Sequence, residues 1–174
     1  MGVFTTIYWR TFKLLTINNL TMPQGFPNAM FAGKSTNSYE LNKNCYYCTV
    51  SALLNVTVEE LIQKVEIMQQ DRAEIEEIEA LFAEAGVQVS SESGLSKEDV
   101  IHFLRNNIQD SHSVGIGFTC PDGNKHMIVL TLDSGYVAGE YPGLKCVDYQ
   151  TNPPTVSGFP PANAKEPYTL IYLT

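Results

Sequence analysis

The hydrophobic pattern of the chain changes period near residue 110, from helical spacing before it to short strand-like blocks after it. The clearest helical stretch starts at Thr57 and Glu60, whose three-residue separation is a capping-box signature, and carries Val58, Leu61, Ile62, Val65 and Met68 on one face. A second starts at Asp71 and Glu74, buries Ile75, Ile78, Leu81, Phe82 and Ala85, and stops at Gly86. Ser96 and Asp99 open another, with Val100, Phe103, Leu104 and Ile108 on a shared face. Ahead of these, Cys45 to Leu54 is a short, nearly unbroken apolar run ending at Asn55, which predicts a helix buried on all sides.

Beyond residue 110 the predicted elements are strands. Val114 to Thr119 and His126 to Leu132 flank Pro121-Asp122-Gly123, where proline presets one φ and glycine accepts a positive one, so a hairpin is expected. Asp133-Ser134-Gly135 turns the chain again. Leu144 to Asp148 and Tyr168 to Leu173 read as two further strands, with a proline-rich loop from Pro153 to Pro167 between them. The segment through Phe31 predicts a strand or two and an irregular loop, and Gly33 to Lys43 is polar and turn-rich. Helices followed by an antiparallel sheet define an α+β class. The length suits a single domain over 1–174, with a lead-in at 1–40, a helical half at 41–110 and a sheet half at 111–174.

Composition narrows the function classes. With 44% hydrophobic and 17% charged residues the chain is that of a folded globular domain. Eleven Lys+Arg against nineteen Asp+Glu give a net charge of -8, and the basic residues stand singly, so nothing tracks a phosphate backbone and nucleic acid is not expected as a partner. The acidic residues between Glu59 and Glu84 read as solvated helix faces. No apolar run reaches the ~18 residues a bilayer-spanning helix needs, so no membrane association is expected. Arg10 and Lys13 interrupt the one early hydrophobic stretch and no small-residue cleavage site follows, so a standard secretory signal is not expected there. Export, if it occurs, then uses another route, or the chain is the terminal domain of a longer one. Four cysteines, Cys45, Cys48, Cys120 and Cys146, are too few for a disulfide scaffold and point to a reducing compartment.

The candidate chemistry lies in three separated positions. Cys45 stands where a loop becomes a helix, and first-turn N–H groups together with the macrodipole favour a thiolate there. Of the three histidines, His102 falls beside an apolar helical stripe and reads as a surface residue, while His112 sits in a polar Asp-Ser-His-Ser loop. His126 instead opens an apolar strand, where a rigid sheet can aim its ring. Asp148 ends a neighbouring strand, placed to orient that imidazole and stabilise its cation. Nucleophile, base and orienter are thus all available.

The Asn-Cys-x-x-Cys head followed by Thr-Val-Ser-Ala-Leu-Leu, the His-Met-Ile-Val strand and the Val-Asp-Tyr-Gln ending resemble the papain-fold toxin domains of bacterial polymorphic toxin and effector systems, over roughly residues 40 to 152. That resemblance implies a papain-like fold, with N-terminal helices packed on a C-terminal antiparallel sheet, and a thiol protease or a glutamine deamidase that needs no metal or cofactor. It assigns Cys45 as nucleophile, His126 as general base and acid, and Asp148 as orienter. Papain-type proteases proper carry Cys-Gly-x-Cys-Trp with the second cysteine attacking. Here no glycine follows Cys45 and no tryptophan follows Cys48, and Cys48 stands as the alternative nucleophile. Cys45 is preferred because it directly follows Asn44, as in the toxin-like pattern, and lies nearer the helix start.

The upstream oxyanion glutamine of the papain proteases has no direct counterpart; Asn42, Asn44 and Gln150 are the oxyanion or substrate-binding candidates, with Tyr46 and Tyr47 as further cleft residues. The resemblance also implies a protein substrate in the cytoplasm of a target cell, delivery without a standard signal peptide, and a cognate immunity protein. The competing expectation is non-catalytic: Cys45-x-x-Cys48 with two of Cys120, Cys146 and His126 could hold a four-coordinate zinc, or the domain could serve only in binding.

Overall fold

A computed structural model describes residues 22–27, 44–65 and 74–174 of the 174-residue chain. The elements run β1 (Phe26–Pro27), α1 (Cys45–Leu54), α2 (Val58–Val65), α3 (Ile75–Glu84), β2 (Val89–Leu95), α4 (Lys97–Asn107), β3 (His112–Thr119), β4 (Lys125–Leu132), β5 (Leu144–Asp148), β6 (Thr155–Gly158) and β7 (Lys165–Leu173). Among the described residues the strands form one antiparallel sheet in the order β2-β7-β3-β4-β5-β6, with β1 paired to β3.

The α+β class therefore holds, but the division into a helical first half and a sheet second half does not. Strand β2 lies between α3 and α4 in the chain and pairs with β7 at the sheet edge. It escapes the hydrophobic pattern because Val-Ser-Ser-Glu-Ser-Gly-Leu is mostly polar, and an edge strand need bury little. Cross-strand bonds satisfy its side chains: Thr169 Oγ1 donates to Ser93 Oγ at 3.0 Å and the Tyr172 hydroxyl donates to Glu92 at 3.2 Å. The short, exposed strand β6 likewise forms inside the stretch expected to be a proline-rich loop, and His112 begins β3 rather than sitting in a loop.

Each face of the sheet has its own core. On one side Tyr47, Cys48, Val50 and Leu53 of α1, Leu61 of α2 and Leu81 and Phe82 of α3 pack with Met127, Val129 and Ile171. On the other, Val100, Phe103 and Leu104 of α4 pack with Ile116, Phe118, Ile128, Leu130, Cys146 and Leu170. Alternation along β4, with Met127 and Val129 to one side and Ile128 and Leu130 to the other, gives the even spacing of a strand buried on both faces. Gly115 makes room for the closest approach: a Cβ there would lie 2.6 Å from Met127 Cε and 3.5 Å from Leu53 Cδ1, so the missing side chain lets α1 settle onto the sheet.

Local capping follows the chain closely. Thr57 and Glu60 exchange hydrogen bonds, as do Ser96 and Asp99, and Gly86 with φ +79 follows the end of α3. Helix α3 starts from Glu74, which forms its capping box with Glu77. Asp71, the other expected start residue, lies outside the described residues, as do Met68 and most of the lead-in and the 33–43 segment. No helix among the described residues is long and apolar enough to cross a membrane.

Candidate active site

Helix α1 places the thiol. Tyr46 through Leu53 are all buried, so this is a central helix held from every side, and it stops at Asn55, which takes the left-handed conformation at φ 57. Cys45 is its first residue and is partly exposed; no acidic residue occupies the first turn to oppose a negative sulfur. One turn on, Thr49 Oγ1 donates to the carbonyl of Met127 at 2.9 Å, a buried bond between residues 78 apart in the chain. Met127 is the neighbour of His126, so this bond sets where the helix start falls relative to the strand start.

Strands β4 and β5 place the other two groups. Their ladder pairs Val129 with Val147, and one step further on β5 is Asp148, its last residue. His126 lies two residues beyond Ile128 on the same face of β4, which makes His126 and Asp148 diagonal neighbours within side-chain reach. Their side chains meet: His126 Nε2 is 2.7 Å from Asp148 Oδ2, with His126 16% and Asp148 24% exposed. Phe118, the cross-strand partner of His126, packs edge-on against its ring at 5.6 Å. The second carboxylate oxygen, Oδ1, accepts the backbone N–H of Gln150 at 2.9 Å, so both oxygens are engaged.

Cys45 lies on the ring as well, close enough for its sulfur to act on the His126 imidazole. Burial by itself lowers the affinity of the ring for its second proton. Hydrogen bonding of the ring to Asp148 and to Cys45, together with the negative charge of both, outweighs burial, and the His126 pKa is pushed up to about 10. The imidazole is thus a cation at neutral pH, flanked by sulfur and carboxylate.

The three positions expected to act together therefore do come together. Cys48 differs: it is 1% exposed in the core between α1 and the sheet, where no substrate carbonyl could reach it. Cys146 lies in the opposite core, where burial pushes its pKa up to about 12. Cys48 and Cys146 lie on opposite faces of the sheet and cannot share one zinc, and among the described residues no group of three or more His, Cys, Asp and Glu side chains could hold a metal ion. Of the expected oxyanion residues, Asn44 and Gln150 touch each other, Gln150 Nε2 donating to Asn44 Oδ1 at 3.2 Å, while Asn42 lies outside the described residues. His102 is exposed on α4, away from this cluster.

One neighbour was not legible in the pattern. Cys120, just past the end of β3, lies close enough that the charges of Asp122, Cys45 and Asp148, after burial, raise its pKa. Its place two residues from Phe118, the partner of His126, was the signal for it. No protein-family model matches the chain, and no curated protein matches it.

Proposed function

We propose that this protein is a cysteine-dependent amide hydrolase of papain-like architecture, acting as a thiol protease. The observation that supports it is the His126 ring held between the Asp148 carboxylate and the Cys45 thiol. A base set between its nucleophile and its orienter is the arrangement that covalent acyl transfer requires.

The chemistry follows from these positions. The Cys45 thiolate adds to a peptide carbonyl carbon, forming the C–S bond and moving the π electrons onto oxygen, where N–H groups of the first turn of α1 hold the oxyanion. The cationic His126 gives its proton to the amide nitrogen as the C–N bond breaks and the amine leaves. Neutral His126 then takes a proton from water, whose oxygen attacks the acyl carbon and expels the sulfur as thiolate. The product is a carboxylic acid, and the enzyme returns to its starting charge state. Asp148 keeps the ring in place and stabilises its cation throughout.

Following the toxin-domain resemblance, we assign the protease to antagonism between bacteria. It would be exported without a standard signal peptide, act on a protein in the cytoplasm of a target cell, and be neutralised in its producer by an immunity protein. The test is expression in a recipient cell: the wild type is toxic and Cys45→Ala, with its fold intact by circular dichroism, is not. Mass spectrometry of the recipient's proteins then reads the bond broken. New chain termini support proteolysis; conversion of glutamine to glutamate without new termini replaces the protease with a deamidase; toxicity retained by Cys45→Ala removes the proposed nucleophile.

A further inference from the structure

We infer that Gln150 is a positioning residue that ties the nucleophile's end of α1 to the carboxylate's end of β5. The inference rests on the hydrolase proposal above and adds to it how the two halves of the site are held in register. Gln150 makes two bonds in two directions. Its backbone N–H donates to Asp148 Oδ1 at 2.9 Å, and its side-chain Nε2 donates to Asn44 Oδ1 at 3.2 Å. Asn44 directly precedes Cys45, and Asp148 grips His126 through its other oxygen at 2.7 Å. A circuit results, running from His126 through Asp148, Gln150 and Asn44 to Cys45, which neighbours the His126 ring.

The circuit matters because its two halves are far apart in the chain. Asn44 and Gln150 are separated by 106 positions, and nothing local to either fixes one against the other. Asn44 occupies the N-cap position of α1 without a side-chain cap bond, and its carboxamide oxygen accepts from the strand side. Asn44 is 3% exposed and its bond to Gln150 is part-buried, so it holds its geometry better than one in water. On the far side of Cys45, Thr49 is bonded to the Met127 carbonyl. The nucleophile is thereby gripped on both sides, at 44 by the β5 exit and at 49 by β4, and a shift of the thiol by even an ångström costs up to about a hundredfold in rate.

The test is the rate at which iodoacetamide alkylates Cys45, mapped by mass spectrometry and followed against pH, in the wild type, Gln150→Ala, Asn44→Ala and the double variant. Gln150→Ala keeps the backbone N–H to Asp148 and removes the side-chain donor to Asn44. Each single variant is expected to slow alkylation at mildly acidic pH by roughly tenfold and to move the pH profile towards that of an ordinary thiol, and the double variant to be no slower than either single one. Alkylation of Gln150→Ala at the wild-type rate with the wild-type profile overturns the inference, as do single effects that simply multiply in the double variant. A wild-type Cys45 no faster than a thiol of the unfolded chain overturns the hydrolase proposal itself, which separates the two failures. Should Gln150→Ala not fold, Gln150→Met occupies similar space without the donor and is read in the same way.

Discussion

The hydroxyl of Thr49 donates to the carbonyl of Met127 across 2.9 Å, joining the second turn of α1 to the residue after His126. A buried threonine thereby registers that helix on the sheet. Thr49→Val keeps the shape and removes a buried donor to that carbonyl, and is expected to destabilise the protein by about 1–3 kcal/mol. It should also slow Cys45 alkylation, because the helix loses its stop against β4. Urea unfolding and alkylation of the same sample check both effects; a full-rate Cys45 in a destabilised Thr49→Val protein would show the bond to be structural only.

The charged His126 ring makes fold stability depend on pH in a definite direction. Its pKa stands at 6.5 in an ordinary setting and at about 10 in the fold, so the folded state binds the extra proton more tightly than the unfolded chain. The stabilisation is fully present below about pH 6.5 and is lost as pH rises through about 10. Asp148→Asn removes the carboxylate that holds the proton. The wild type should therefore exceed Asp148→Asn in urea midpoint at about pH 6, and the gap should close progressively towards about pH 10. A gap that is constant across this range would mean that the ring is not held as a cation.

Three of the four thiols should separate cleanly by reactivity. In the native protein at mildly acidic pH, iodoacetamide is expected to label Cys45 first. Cys146, buried with its pKa pushed up to about 12, and Cys48, in the α1 core, should react only after unfolding. Peptide mapping before and after denaturant reads this directly, and native labelling of Cys48 in preference to Cys45 would reverse the assignment of the nucleophile.

Away from the site, Gly158 is required by a backbone contact. A Cβ there would lie 2.5 Å from Gly139 Cα and 2.9 Å from the Ala138 carbonyl, so β6 and the loop preceding β5 touch main chain to main chain. Gly158→Ala is expected to cost about 1–3 kcal/mol through overpacking, with Cys45 alkylation unchanged in the folded fraction. Thermal unfolding with parallel alkylation separates the two.

Much of this protein is legible along the chain because the relevant physics is local. The Thr57–Glu60 and Ser96–Asp99 boxes, the turn at 121–123 and the helix from Cys45 to Leu54 each depend on residues within a few positions of one another. Gly123 takes φ +84 in the turn its sequence calls for, and the ends of α1 and β5 fall at the expected residues. Strand β2 was not legible, since a polar edge strand has no apolar period and forms only when β7 offers its backbone groups. The three reactive residues could be chosen by type and by their positions at element ends, with Cys45 preferred to Cys48 on nearness to the helix start.

Only the tertiary structure decided what those residues touch. Burial removed Cys48 from reach of a substrate, the sheet put Cys146 on the far side from it, and the diagonal register of β4 against β5 brought Nε2 of His126 onto Asp148. Gln150 and Asn44, 106 positions apart, meet only because the first residue of a central helix lands beside the end of a strand. Short-range preferences are carried by neighbouring residues, whereas contact across such a distance depends on how whole elements pack, and no local pattern of side chains encodes that.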